Sequence, residues 1–133
     1  MSSIHHFIGS ENAYDWDDVV KLEYADGPAK GASGKIMIGN QEGASHFVFR
    51  YFRIEPGGYS TIDDTHAHDH GVLILHGRAL AHFGGKVEEV GPRDVLYFEP
   101  WMPHHLVTLG DEPLGFLCVI PNKKMLAELE EKK

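Results

Sequence analysis

Cysteine is nearly absent: Cys118 is the single cysteine in 133 residues. No internal disulfide can form, so packing alone must hold the fold, and a reducing, cytoplasmic setting is expected. Positive charge is also short. Twelve Lys and Arg against 20 Asp and Glu leave a formal net charge of −8 with histidine neutral. That balance argues against a broad phosphate-binding surface, so neither nucleic acid nor a membrane face is an expected partner. No apolar run approaches the ~20 residues that span a bilayer. The opening stretch "MSSIHHFIGS" has no long apolar core, so no signal peptide is expected. Repeats, low-complexity segments and an attached DNA-binding or effector module are likewise not found in the sequence. Hydrophobic residues at 42% and aromatics at 11% are what a packed core needs, and they exclude a disordered chain. One domain over residues 1–133 is the expectation.

Residues 1–45 are the least regular and read as an N-terminal arm with edge strands. "ADGPAKGASG" (25–34) reads as a loop and "KIMIGN" (35–40) as a short strand ending in a turn. Residues 46–121 are the barrel core. "FVFRYFRI" (47–54) is aromatic and β-branched, and "EPGG" (55–58) breaks it. "GVLILHGRALAHFG" carries a strand pair around Gly77, "GGKVEEVGPRD" supplies turns, and "VLYFE" and "LGFLCVI" are further strands. Short strands spaced by Gly and Pro predict an all-β sandwich or barrel. Residues 122–133 predict a short C-terminal helix capped by Asn122, with Met125, Leu126 and Leu129 on one face and Glu128, Glu130 and Glu131 on the wet side. Both parities of 47–54 are apolar apart from Arg50 and Arg53, so the outer face suits a homodimer interface.

"HAHDH" at 66–70 concentrates imidazoles. On a strand, His66, His68 and His70 would share one face. Neutral imidazoles aimed inward need partners for a donor and an acceptor each. A divalent metal satisfies one nitrogen of each ring. At ~3.3 Å rise per residue, His66 and His70 lie ~13 Å apart along a straight strand. Bonds near 2.1 Å cannot cover that, so the chain must bend within 66–70 or just before it, at the turn-like "DDT" (63–65), if all are to share an ion.

"PGG…HAHDHGVLILHGR" followed by "GPRDVLYFEPWMPHHL" resembles the two motifs of the cupin superfamily, over roughly residues 47–120. The resemblance implies a double-stranded β-helix, or jelly-roll barrel, around one metal ion. The family's first motif is G-x5-H-x-H-x3,4-E-x6-G and its second is G-x5-P-x-G-x2-H-x3-N. Counting back from Gly77 places the family's Glu on His70. Counting forward from Gly58 places the His pair on Asp64 and His66; sliding the loop places it on His66 and His68. The favoured ligand set is therefore His66, His68, His70 and His104, with Asp64 in place of His68 as the other register. In the second motif Glu99 replaces the Pro, Trp101 the Gly and Thr108 the Asn, while His104 matches the ligand. His105 faces the other way, at the rim or behind the ligands.

Four imidazoles leave a divalent ion its full charge, which favours a small anionic ligand. Imidazole ligation does not distinguish Fe, Mn, Ni, Cu and Zn. With six coordination positions two stay open, as in non-haem oxygenases; with four the site is closed and structural. His76, His82, Tyr51, Tyr97, Phe98 and Trp101 are further candidates to line a pocket, and one of Arg50 and Arg53 to steer a carboxylate while the other pairs outside. Asp64 and Glu99 are the candidate bases, and no catalytic residue is assigned. Cys118 reads as a small core residue. The leading expectation is a dioxygenase-like metalloenzyme of cupin type. The alternatives are a non-catalytic module with a structural metal and a metal-free sugar-nucleotide epimerase, which would not need the histidine cluster.

Overall fold

The computed structural model describes residues 2–23 and 28–122. Among the described residues nine strands follow one another: β1 (Val20–Glu23), β2 (Lys30–Ile38), β3 (Phe47–Tyr59), β4 (His70–His76), β5 (Arg78–Phe83), β6 (Lys86–Val90), β7 (Val95–Phe98), β8 (His104–Leu109) and β9 (Leu114–Pro121), with one 3-10 turn at Asn40–Glu42. Neighbours pair antiparallel in the order β6-β5-β8-β3-β9-β4-β7, and β2 joins β1 to β3. The sheet curls on itself as the jelly-roll expectation requires. Alternate residues from β4, β5, β7, β8 and β9 meet Ile54 of β3 in one core, which includes Val72, Ile74, Ala81, Phe98, Leu106, Leu114, Phe116 and Cys118.

Strand β3 makes the curl possible. It pairs with β9 from Phe47 to Ile54 and reaches β8 at Tyr59. The expected break at "EPGG" is a bend, not an end. Gly57 takes φ 79° there, a left-handed conformation open to glycine, and the chain passes from one half of the barrel to the other. Strand β2 is also longer than expected. It begins at Lys30, inside the stretch read as loop, because residues 30–38 lie along β3 with two register shifts. The C-terminal helix falls outside the described residues, except for Asn122. That side chain donates to Asn40 Oδ1 and to the Ala44 carbonyl, fastening the end of β9 to the turn after β2.

The outer face of β3 near Tyr51 is covered by the chain's own N-terminal residues. Tyr14 stacks on Tyr51 at 5.9 Å and Trp16 meets it edge-on at 5.3 Å. Beneath them Tyr51 Oη and His76 Nε2 lie 2.5 Å apart, and His76 Nδ1 donates to the Pro113 carbonyl at 3.0 Å. His76 therefore packs on the outside of the barrel wall.

Gly77 is the single-residue joint between β4 and β5. Its φ is 75°, and a Cβ there would stand 2.3 Å from the Pro113 carbonyl oxygen. Strained left-handed backbone and backbone overlap act together at this position. Gly77→Ala is expected to lower unfolding free energy by roughly 2–3 kcal/mol, measured by urea denaturation; a loss below about 0.5 kcal/mol would contradict this reading of the joint.

Candidate metal centre

Backbone hydrogen bonds bring two distant segments together. Asp64 and His104 form an isolated antiparallel bridge in which each N–H donates to the other's carbonyl at 3.0 Å. The Trp101 N–H donates to the His66 carbonyl at 2.7 Å, and Thr65 Oγ1 donates to the Trp101 carbonyl at 3.0 Å. Trp101 holds φ 66°. It stands where the cupin pattern has glycine, and the left-handed backbone is the reason a glycine suits that position. His66 thus arrives on a loop, His70 on the first residue of β4, and His104 on the first residue of β8.

The loop placement corrects the parity argument for 66–70. Strand β4 begins only at His70, and residues 67 and 68 form a bend, so the ~13 Å separation of a straight strand does not arise. His66, His70 and His104 offer ligand atoms that all lie within 4.8 Å of one another. His68 stacks on His66 at 4.6 Å and on His70 at 4.8 Å, but it lies outside that mutually close group. Asp64 reaches the group from the side, its Oδ2 2.8 Å from His66 Nε2.

Each of the three rings has one nitrogen engaged. His104 Nδ1 donates to the Met102 carbonyl at 2.8 Å. His70 Nδ1 lies 3.3 Å from Cys118 Sγ, and His66 Nε2 meets Asp64. Phe98 lies flat against His104, with centroids 4.5 Å apart and planes 13° from parallel. Burial, followed by the neighbouring imidazoles, pushes His70 down to about 2. Burial pushes His68 down to about 4. His70 and His68 are therefore neutral rings at ordinary pH. His70 Nε2 is fully buried with no hydrogen-bond partner. An unpartnered buried nitrogen is costly, and a divalent cation among three imidazoles would satisfy it; the residues fit the metal that the resemblance implies.

The group lies on the wall of a cavity of ≈ 210 Å³. Apolar walls come from Phe52, Ile54, Val72, Leu106 and Phe116, and the other polar groups include Asp64, Arg50 and Cys118. The two arginines of β3 divide as expected. Arg50 faces the cavity, with its guanidinium 4.8 Å from the Phe52 ring centre and Nη2 3.2 Å from Cys118 Sγ. Arg53 pairs with Glu55 outside at 2.8 Å. Of the aromatic candidates Phe98 lines the cavity. Tyr97 and Trp101 are 66% and 55% exposed, and Tyr51 belongs to the outer cluster with His76. Glu99 is exposed and absent from the lining. His105 is buried on the opposite side of β8, stacked on His82 at 4.2 Å with Asp63 beside it. Cys118 is core, as read, yet it also faces the site. The register places it beside Arg50 on β3 and Val72 on β4, and its shared parity with Phe116 and Ile120 was the signal in the sequence.

A family model described as the cupin domain matches residues 50–120. The 1-methylthio-D-xylulose 5-phosphate methylsulfurylase of Rhodospirillum rubrum is 34% identical over 113 residues, covering 83% of this chain and 70% of that protein. Among solved structures, a cupin-2 domain from Rhodospirillum rubrum superposes with TM-score 0.75 at 36% identity, covering 86% of this chain and 75% of that one. The polyketide cyclase RemF from Streptomyces resistomycificus superposes with TM-score 0.71 at 28% identity, covering 78% of this chain and 74% of that one.

Burial holds His68, His70, His76 and His105 below their ordinary value of 6.5. The unfolded chain takes up protons near 6.5 that the folded chain refuses. Their stabilisation is complete above 6.5 and is lost as pH falls. His70, lowered furthest of these, contributes the largest share of that loss. His5, raised chiefly by its bond to the Asp17 carbonyl, works in the opposite direction at the surface. Urea midpoints of chelator-treated protein are expected to fall steadily from pH 7.5 to 5.0; a flat profile would mean that these rings are not buried neutral.

Proposed function

The chain belongs to the cupin domain family, and from that premise we propose that it is a metal-dependent enzyme acting on a small anionic substrate. The observation that carries the reading is His70 Nε2, buried and unpartnered, beside ligand atoms of His66 and His104 on a cavity wall. These three residues would hold the ion, with Asp64 and His68 as the adjoining groups. Bound there, a divalent transition metal supplies Lewis acidity to a substrate oxygen.

The chain's own groups account for the rest of the site. Arg50 presents a permanent positive charge to the cavity and binds the anionic end of the substrate. The apolar walls exclude water and strengthen that attraction. Phe98 keeps His104 from rotating, and the Met102 carbonyl fixes its tautomer. Asp64 is the carboxylate among the lining residues and is placed to hold a proton at Oδ2, against His66 Nε2. The name of the Rhodospirillum rubrum relative specifies a phosphorylated ketose bearing a methylthio group. A substrate of that class has an anion for Arg50 and neighbouring oxygens to chelate.

Elemental analysis of wild-type and His104→Ala protein tests the centre. The variant is expected to lose metal affinity by more than about tenfold, since even partners behind a ligand commonly cost that much. Turnover is then sought with thioether-bearing sugar phosphates, and oxygen uptake with catechols, flavonols, β-diketones and short organic acids. Oxygen uptake would select the dioxygenase-like form of the proposal. Tight metal without turnover on any of these would select the non-catalytic module, and full metal occupancy in His104→Ala would overturn the ligand assignment.

A further inference from the structure

We infer that Cys118 is a positioning residue for the metal centre: its sulfur accepts the Nδ1–H of His70 and thereby turns that ring's Nε2 lone pair toward His66 and His104. The inference rests on the metal-dependent reading above for its consequence, though not for its geometry.

Two contacts define the sulfur's role. Arg50 Nη2 lies 3.2 Å from Sγ, and a guanidinium can only donate. His70 Nδ1 lies 3.3 Å from the same sulfur. Were the thiol to donate to Nδ1, the ring proton would sit on Nε2, which is fully buried and has no acceptor. A buried donor without an acceptor is the costlier arrangement. With the proton on Nδ1, the sulfur receives it, and the unpartnered atom is a lone pair at the place where ligand atoms converge. His104 supplies an internal check. Its Nδ1 faces the Met102 carbonyl, which can only accept, so that ring carries its proton on Nδ1. His70 and His104 then share one tautomer, each with Nε2 free.

Fold and register make this a built arrangement. Cys118 sits opposite Arg50 on β3 and opposite Val72 on β4, two residues after His70. It is 2% exposed, and its side chain lines the cavity wall with Arg50 and His70. In other metal centres a carboxylate or carbonyl behind a ligating histidine fixes its tautomer and raises its basicity. Here a sulfur flanked by a guanidinium takes that place. It stands behind the residue that occupies the family's Glu position.

The test uses full-length wild-type protein with Cys118→Val, which keeps the volume and removes the acceptor, and Cys118→Ser, which retains one. Long-range 1H–15N correlation on metal-free protein reads the His70 tautomer, and Co2+ titration followed by visible absorption and calorimetry reads affinity. The expected result is an Nδ1–H ring in the wild type, a mixed tautomer in Cys118→Val with Co2+ affinity lower by about 10–100-fold, and Cys118→Ser between the two. Retention of Nδ1–H together with unchanged affinity in Cys118→Val would overturn the inference and leave the proposed function standing. An Nε2–H ring in the wild type would overturn it too. Failure of the wild type to bind Co2+ would count against the metal-dependent reading, while the tautomer comparison would still decide the role of the sulfur. Should Cys118→Val not fold, the wild-type ring and Cys118→Ser settle the same question.

Discussion

Two backbone hydrogen bonds between Asp64 and His104 hold the site together. They clip the loop before β4 to the start of β8, segments forty residues apart by number. That clip anchors the loop that carries His66 beside the strand that carries His104. The bridge does not draw on side-chain chemistry, so the residues at 64 and 104 are free to be functional. The Trp101 N–H and Thr65 hydroxyl add further ties between the same two segments. The chain accepts a left-handed tryptophan at 101 as part of that geometry, a conformation that costs a non-glycine residue on the order of 1 kcal/mol.

Once the segments are joined, desolvation governs the chemistry. Burial removes the water that would stabilise a proton on His70, and the neighbouring imidazoles act in the same direction. The neutral ring is also the form that binds a metal. Packing and function therefore ask for the same protonation state. What remains is orientation: carbonyl, sulfur and carboxylate each engage one nitrogen of one ring. Phe98 adds a flat wall that restrains His104.

Much of this was legible in the sequence, and the failures have physical causes. The strands around Gly77, β7 and β9 were marked by apolar runs ended by Gly or Pro, and the two motifs located His66, His70 and His104. Strand β3 was cut short because Pro56 and Gly57 read as a stop, whereas Pro has no N–H to lose at a bend and Gly supplies the left-handed turn. The face shared by His66, His68 and His70 was argued from a period of two, which holds only on a strand, and residues 66–69 are not one. The apolar outer face of 47–54 suggested a partner subunit. Within the chain, Tyr14 and Trp16 cover the part of that face at Tyr51, a contact between distant segments that no local pattern encodes. Cys118 passed as core because burial and site-facing are not exclusive on a barrel wall.

His70, where the resemblance implies the family's Glu, bears on the anionic substrate proposed above. A carboxylate ligand would cancel part of a metal's charge, and a neutral ring cancels none. Arg50 faces the same cavity, and among the described residues no carboxylate forms an ion pair with it; its contacts are a sulfur and the face of Phe52. Asp64 is turned toward His66. The chain as a whole is at −8, but surface charge is screened beyond ~8 Å at physiological salt, whereas charge in an apolar-walled cavity is screened little. Under the proposed function, an anionic substrate would meet weak, salt-dependent repulsion outside and a short-range, poorly screened attraction to Arg50 inside, so selection would fall on anions small enough to enter completely.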